Sequence, residues 1–93
     1  MLHFPIAIHK DAGSDYGVTV PDLPGCFSAG KTLDEAIVMA CEAIELHLEG
    51  LIDAGQPIPK PGVVEQYKGK RAYAGATWAV VSISPSAMGR RAK

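Results

Sequence analysis

The chain has 93 residues and a mass of 9.8 kDa, with 47% hydrophobic residues, 20% charged residues and a formal net charge of −1. This size fits one small globular domain and excludes a second domain, a barrel enzyme and a dinucleotide-binding fold. No apolar stretch reaches the ~20 residues that span a bilayer, and residues 1–5 lack the basic start of a signal peptide. We therefore expect a cytoplasmic protein.

Residues 1–30 predict an antiparallel three-stranded meander. Residues 2–9 and 16–20 alternate apolar and polar side chains on either side of a turn cluster, which is typical of a β-hairpin. The Pro-Asp-Leu-Pro-Gly segment at 21–25 must end the second strand, because proline has no amide donor and glycine permits a positive φ. A short third strand is predicted at 26–29.

A long helix is predicted from Thr32 to Ala54. Thr32-Leu-Asp-Glu35 fits a capping box, in which the two side chains satisfy each other's backbone amides. Gly55 and the prolines after it end the helix. Apolar residues recur at three- and four-residue spacing and form one stripe towards a core. The stripe comprises Leu33, Ile37, Ala40, Cys41, Ile44, Leu48, Leu51 and Ile52.

Residues 77–83 form an apolar, β-branched run that predicts a fourth strand buried on both faces. A strand reached after a helix is usually parallel to a strand already in the sheet. The expected fold class is therefore α+β: an antiparallel three-stranded meander, one long helix on one sheet face, and a fourth strand parallel to the first. The residues expected to be buried are Leu33, Ile37, Ile44, Leu48, Val80 and Val81.

Charge is unevenly distributed along the chain. Residues 1–30 sum to −2, residues 31–54 sum to −5, and residues 55–93 sum to +6. Opposite charges on different segments indicate two surfaces for different partners.

Five acidic residues lie on the predicted helix at spacings of seven, three, four and four, with no Lys or Arg inside the helix. Like-charged pairs at i,i+4 each cost a few tenths of a kcal/mol, so this arrangement does not serve helix stability. Two interpretations stay open: a solvated outer face, or an electrostatic footprint for a basic protein partner. The five residues are Glu35, Glu42, Glu45, Glu49 and Asp53.

Gly25 to Thr32 matches the phosphate-binding pattern GxxxxGK[ST] and opens a helix. The context opposes a phosphate loop, because residues 26–29 read as extended and no later strand ends in a magnesium-binding Asp. A nucleotide-binding protein remains an alternative, and it predicts ATP or GTP binding that is lost in Lys31→Ala. A residual metal-dependent nuclease is a further alternative, although the first strand carries no acid.

Other candidate chemistry is sparse. His9 and His47 have no nucleophile beside them, and Trp78 is predicted as a core residue rather than a nucleobase platform. Cys26 and Cys41 are not spaced as metal ligands and are predicted to be buried thiols. We therefore predict no catalytic residue, no metal site, no cofactor and no enzymatic activity.

Three segments, at 16–26, 30–36 and 42–50, resemble the HicB family of antitoxins. The resemblance covers about residues 3–84 and implies a reduced ribonuclease H-like domain that lacks the acidic quartet. It also implies an antitoxin of a type II system that neutralises a HicA-like toxin, a small basic protein that cleaves mRNA, by direct binding. The toxin-binding residues it suggests are Asp22, Leu23, Pro24, Cys26, Phe27, Glu42, Glu45 and Glu49.

The resemblance further implies a homo-oligomer, a dimer or higher. Family members usually continue into a DNA-binding domain that represses the operon, whereas this sequence stops at Lys93. Residues 1–84 are thus expected to form the toxin-binding domain, and residues 85–93 a basic tail that links to an absent DNA-binding domain. Arg90, Arg91 and Lys93 are the weak candidates for DNA contact.

Overall fold

The computed structural model describes residues 1–84, in which a four-stranded antiparallel sheet carries one long helix on one face. The strand order is β3-β2-β1-β4, so the α+β class and the three-stranded meander are confirmed. The strands are β1 Leu2–Lys10, β2 Tyr16–Thr19, β3 Phe27–Gly30 and β4 Thr77–Ile83. The helices are α1 Leu33–Asp53 and the short α2 Val64–Tyr67, followed by a 3₁₀ turn at Arg71–Tyr73.

The start of α1 follows the predicted capping box, with one change of partner. The Thr32 hydroxyl accepts a hydrogen bond from the Glu35 amide at 3.1 Å. The Glu35 carboxylate accepts from the amide of Lys31 at 2.7 Å, rather than from that of Thr32. Both contacts satisfy amides that have no partner within the helix. Beyond the other end, Gly55 adopts a φ of +73°, the left-handed conformation that commonly ends helices.

The core lies between α1 and the sheet. Alternate residues of β1, namely Phe4, Ile6 and Ile8, point towards the helix and are buried. The helix meets them with a small-to-large series at every fourth position, because residues four apart lie on one helix face. That series is Ala36, Ala40, Ile44 and Leu48, all fully buried.

The core predictions are correct in part. Ile44, Leu48 and Val81 are buried, and Ile37 is half-buried. Leu33 and Val80 are 41% and 57% exposed, so their predicted burial is wrong. Leu33 is the first residue of α1, and Val80 points to the sheet face opposite the helix.

The predicted parallel fourth strand is also wrong. Leu2 pairs with Ile83 and Ile8 with Thr77, so β4 runs antiparallel to β1. The 23 residues between α1 and β4, which we call the strap (54–76), run the length of the sheet before β4 begins. The rule that predicts a parallel strand assumes a helix that leads directly into the next strand. The strap returns the chain to the opposite end of the sheet and so reverses β4.

The strap covers the sheet face that lacks α1. Pro5 and Ala7 of β1 point to this face and are buried. Tyr67 stacks on Trp78 with ring centroids 6.5 Å apart, and Tyr73 meets Trp78 edge-on at 5.5 Å. Trp78 therefore belongs to an aromatic cluster under the strap and not to the core beneath α1. Because β4 is half-buried or exposed over most of its length on this side, its predicted burial on both faces is wrong.

The predicted basic tail at 85–93, with Arg90, Arg91 and Lys93, lies outside the described residues. Across residues 1–84, no helix has the length and apolar character needed to cross a membrane.

Candidate protein-binding surface

The solvent-facing side of α1 combines large apolar and acidic side chains. Val38 and Leu46 are each 56% exposed, and Met39 is 40% exposed. Glu42 is exposed and lies between them, because residues three and four apart are neighbours on a helix. Glu45 and Glu49 are half-buried at its edge. We call this set of six residues the outer face: Val38, Met39, Glu42, Glu45, Leu46 and Glu49.

The composition of the outer face is that of a protein interface. Single exposed apolar side chains are common on any surface, whereas three neighbours on one helix form a patch. An apolar centre with a charged rim is the usual anatomy of a protein–protein contact. No Lys or Arg occurs between Thr32 and Ala54, so the charge of the rim has one sign.

Sequence reasoning found the acids of this surface but missed Val38, Met39 and Leu46. They were overlooked because they lie outside the apolar stripe that marks the core side of α1. The available signal was their position: apolar residues at i, i+1 and i+8 on the side of the helix that carries the acids.

Asp22 joins the β2–β3 turn to the strap. Its Oδ2 accepts a hydrogen bond from the Gly62 amide at 2.9 Å, and its Oδ1 accepts one from the Tyr67 hydroxyl. The hydrogen bond to Asp22 raises the pKa of Tyr67 to about 12, and burial and the negative charge of Asp22 act in the same direction. Asp22 is thus a structural clasp, a role that the sequence gave no local signal for.

The other suggested turn residues divide between core and surface. Leu23 and Cys26 are buried, so a partner that binds the folded domain would not reach them. Pro24 is exposed, and Phe27 is 65% exposed. Phe27 points to the sheet face that lacks α1, because the register places it beside Thr19 on that face. The structure therefore does not join Phe27 and the acids of α1 into one surface.

The cysteines lack the properties of nucleophiles. Burial raises the pKa of the Cys26 thiol. Burial also raises the pKa of Cys41, and the nearby Glu45 and Glu42 raise it further. A raised pKa keeps a thiol protonated near neutral pH, and the thiolate is the nucleophilic form.

The GxxxxGK[ST] segment does not form a phosphate loop. Its middle residues are strand β3, and Gly30 packs directly on the first turn of α1. The amide of Lys31, which would face a phosphate, is bound by the Glu35 carboxylate, whose negative charge repels an anion. Among residues 1–84, no three His, Cys, Asp or Glu side chains come together as a group that could hold a metal ion.

Residues 4–93 match the model of a family described as HicB-like antitoxins of bacterial toxin–antitoxin systems. The chain belongs to this HicB-like antitoxin family. The resemblance seen in the sequence is confirmed, and family and fold together favour a non-enzymatic, regulatory role.

Solved structures and a phage protein give the extent of the similarity. The crystal structure of the Burkholderia pseudomallei antitoxin HicB is 52% identical with a TM-score of 0.85, over 92% of this chain and 66% of that chain. A chain of a HicA3–HicB3 toxin–antitoxin complex is 31% identical with a TM-score of 0.75, over 90% of this chain and 100% of that chain. A 14.9 kDa protein of Haemophilus phage HP1 is 47% identical over 70 residues, which is 75% of this chain. The aligned part is about half of the phage protein, 52%.

Proposed function

We propose that this HicB-like domain neutralises a HicA-like, mRNA-cleaving toxin by direct protein contact through the outer face of α1. The observation that carries the proposal is the exposed apolar and acidic composition of that face. The family supports it, since a structural neighbour at 31% identity comes from a HicA3–HicB3 complex.

The two kinds of side chain on the outer face would make different contributions. An RNA-cleaving partner needs a basic surface to hold its substrate, and acidic residues would speed encounter with such a surface and reject acidic partners. Burial of Val38 and Leu46 would supply affinity, at roughly 25 cal/mol for each Å² of apolar surface removed from water. A protein bound here would cover a basic RNA-binding surface with a surface of opposite charge.

The turn residues have other roles in this proposal. Asp22, Leu23 and Cys26 maintain the fold, whereas Pro24 and Phe27 remain candidates for a second contact on the other side of the sheet. A ribonuclease H-like origin, homo-oligomerisation, a cytoplasmic location and operon repression through a DNA-binding domain are further proposals that rest on the family alone.

The test is calorimetry of the purified chain with the HicA-like protein encoded beside it. We expect a complex that weakens with salt and that binds at least about tenfold less tightly in the triple variant Glu42→Lys, Glu45→Lys, Glu49→Lys, because the rim charge is reversed. The matched control is Asp11→Lys, Asp15→Lys, Glu65→Lys. It changes the net charge by the same amount at exposed positions away from α1.

Three outcomes discriminate. Loss in the α1 variant alone supports the outer face as the interface. Equal losses in both variants would show that overall charge, and not this face, controls binding. Undiminished binding by the α1 variant would place the toxin interface elsewhere on the domain.

A further inference from the structure

A second charged surface lies across the sheet from the outer face. Residues 55–84 carry Lys60, Lys68, Lys70 and Arg71 against Glu65, a net charge of +3, whereas residues 1–54 carry −7. All four cations are exposed. The fold therefore places a basic strap on one side of the sheet and an acidic helix on the other.

These cations lie beside the aromatic cluster. Tyr67, Tyr73 and Trp78 are each half-buried, so each presents part of its surface to solvent. The ammonium group of Lys70 is 5.6 Å from the centroid of the Tyr67 ring. The rings are also held in place, because the Tyr67 hydroxyl binds Asp22 and the three rings pack on one another. A ligand that stacked on them would not have to order them first.

We propose that this strap surface binds single-stranded RNA. Cations that contact phosphates, together with aromatic rings that stack on unpaired bases, are the two elements of single-strand recognition. The surface consists of Tyr67, Lys68, Lys70, Arg71, Tyr73 and Trp78.

A single strand fits this surface better than a duplex or an acidic protein. A duplex hides the faces of its bases, and the strap offers only the four-residue α2, which is too short to read a groove. An acidic protein would match the cations but has no use for an aromatic platform. Unpaired strands in a cell are chiefly RNA. Because the strap and the outer face lie on opposite sides of the sheet, this binding does not depend on toxin binding.

The experiment uses the fluorescence of Trp78, the single tryptophan of the chain. The full chain is titrated with an oligouridylate of about ten nucleotides, within the range of known single-strand sites, at several salt concentrations. We expect quenching of Trp78 on binding. We also expect the logarithm of the binding constant to fall with the logarithm of salt at a slope of about −2, from three phosphate contacts.

Variants test the position of the site. Lys68→Gln with Lys70→Gln should reduce the salt slope by about 1.4, the share of two phosphate contacts. Lys31→Glu, at the start of α1, changes the net charge by the same two units and should leave the affinity within about twofold. Tyr73→Leu should weaken binding by about fivefold or more through lost stacking.

Four results would overturn the proposal: no quenching at low salt, equal losses in Lys31→Glu and in the strap variant, or inorganic polyphosphate quenching Trp78 and competing as well as RNA. The fourth is that Arg90→Gln with Arg91→Gln abolishes binding while the strap variant retains it. An acidic protein that displaces RNA no better than serum albumin supports the choice of RNA, and one that binds the strap more tightly than RNA refutes it.

Discussion

Gly30 lies where β3 meets the first turn of α1. A Cβ atom at this position would be 2.7 Å from the Cα of Ala36 and closer still to the Ala36 amide nitrogen. Both neighbours are backbone atoms, so no side chain can rotate to make room. The glycine in the apparent phosphate-loop pattern is thus required for helix–sheet packing.

We expect Gly30→Ala to lower the free energy of unfolding by about 1–3 kcal/mol, the range for overpacking a well-filled site. The control is Gly17→Ala in β2, where an added Cβ meets nothing within 4 Å and the change should be close to neutral. Urea denaturation of both variants makes the measurement. Equal effects at the two glycines would contradict the close approach at Gly30.

Tyr67 contributes to stability through its hydroxyl bond to Asp22. Tyr67→Phe leaves the partly buried carboxylate without this donor, so we expect a loss of about 1–2 kcal/mol near neutral pH. Tyr73→Phe is the matched control, because it keeps a ring in the same aromatic cluster. Urea denaturation near neutral pH measures both changes.

The same bond makes stability depend on alkaline pH. The pKa of Tyr67 is raised from its ordinary value of 10 to about 12, so the folded state favours the protonated phenol. The contribution is complete below pH 10 and is lost as the pH rises from 10 to 12. Wild-type stability should therefore approach that of Tyr67→Phe across this interval. A constant difference between the two proteins up to pH 12 would show that the hydroxyl bond does not carry the effect.

Among the elements, α1 was the most predictable, because its signals are local. The capping residues Thr32 and Glu35 lie three positions apart, and the core positions recur every turn, so the predicted bounds differ from those observed by one residue at each end. The direction of β4 could not be predicted in this way. It depends on the path of the strap, which is held by a hydrogen bond between Asp22 and Gly62, 40 residues apart.

The candidate surface shows the same division. The acids of α1 were visible in the sequence as a run without basic residues. The exposure of Val38 and Leu46 depends on how α1 is rotated against the sheet, which is decided by packing against β1. The burial of Leu23 and the clasp at Asp22 likewise follow from long-range contacts, so the turn motif was mistaken for a purely external feature.

At the scale of the whole molecule, β1 is the layer that joins the two sides. Phe4 and Ile6 are buried under α1, while Pro5 and Ala7 are buried under the strap. Because successive residues of one strand serve both layers, a change that loosens one layer exposes part of the same strand. The acidic and basic sides of the molecule are thus mechanically connected although their charges are kept apart.

This connection predicts that the helix and the strap unfold together. In wild type, urea transitions followed by far-UV circular dichroism, which reports α1, and by Trp78 fluorescence, which reports the strap, should coincide. Asp22→Ala removes both clasp bonds, so the Trp78 transition should then occur at lower urea than the helix transition, whereas Asp11→Ala in the exposed β1–β2 turn should leave the two coincident. If the Trp78 transition came first in wild type, the strap would be an independent unit, and the clasp would not be what couples it to the sheet.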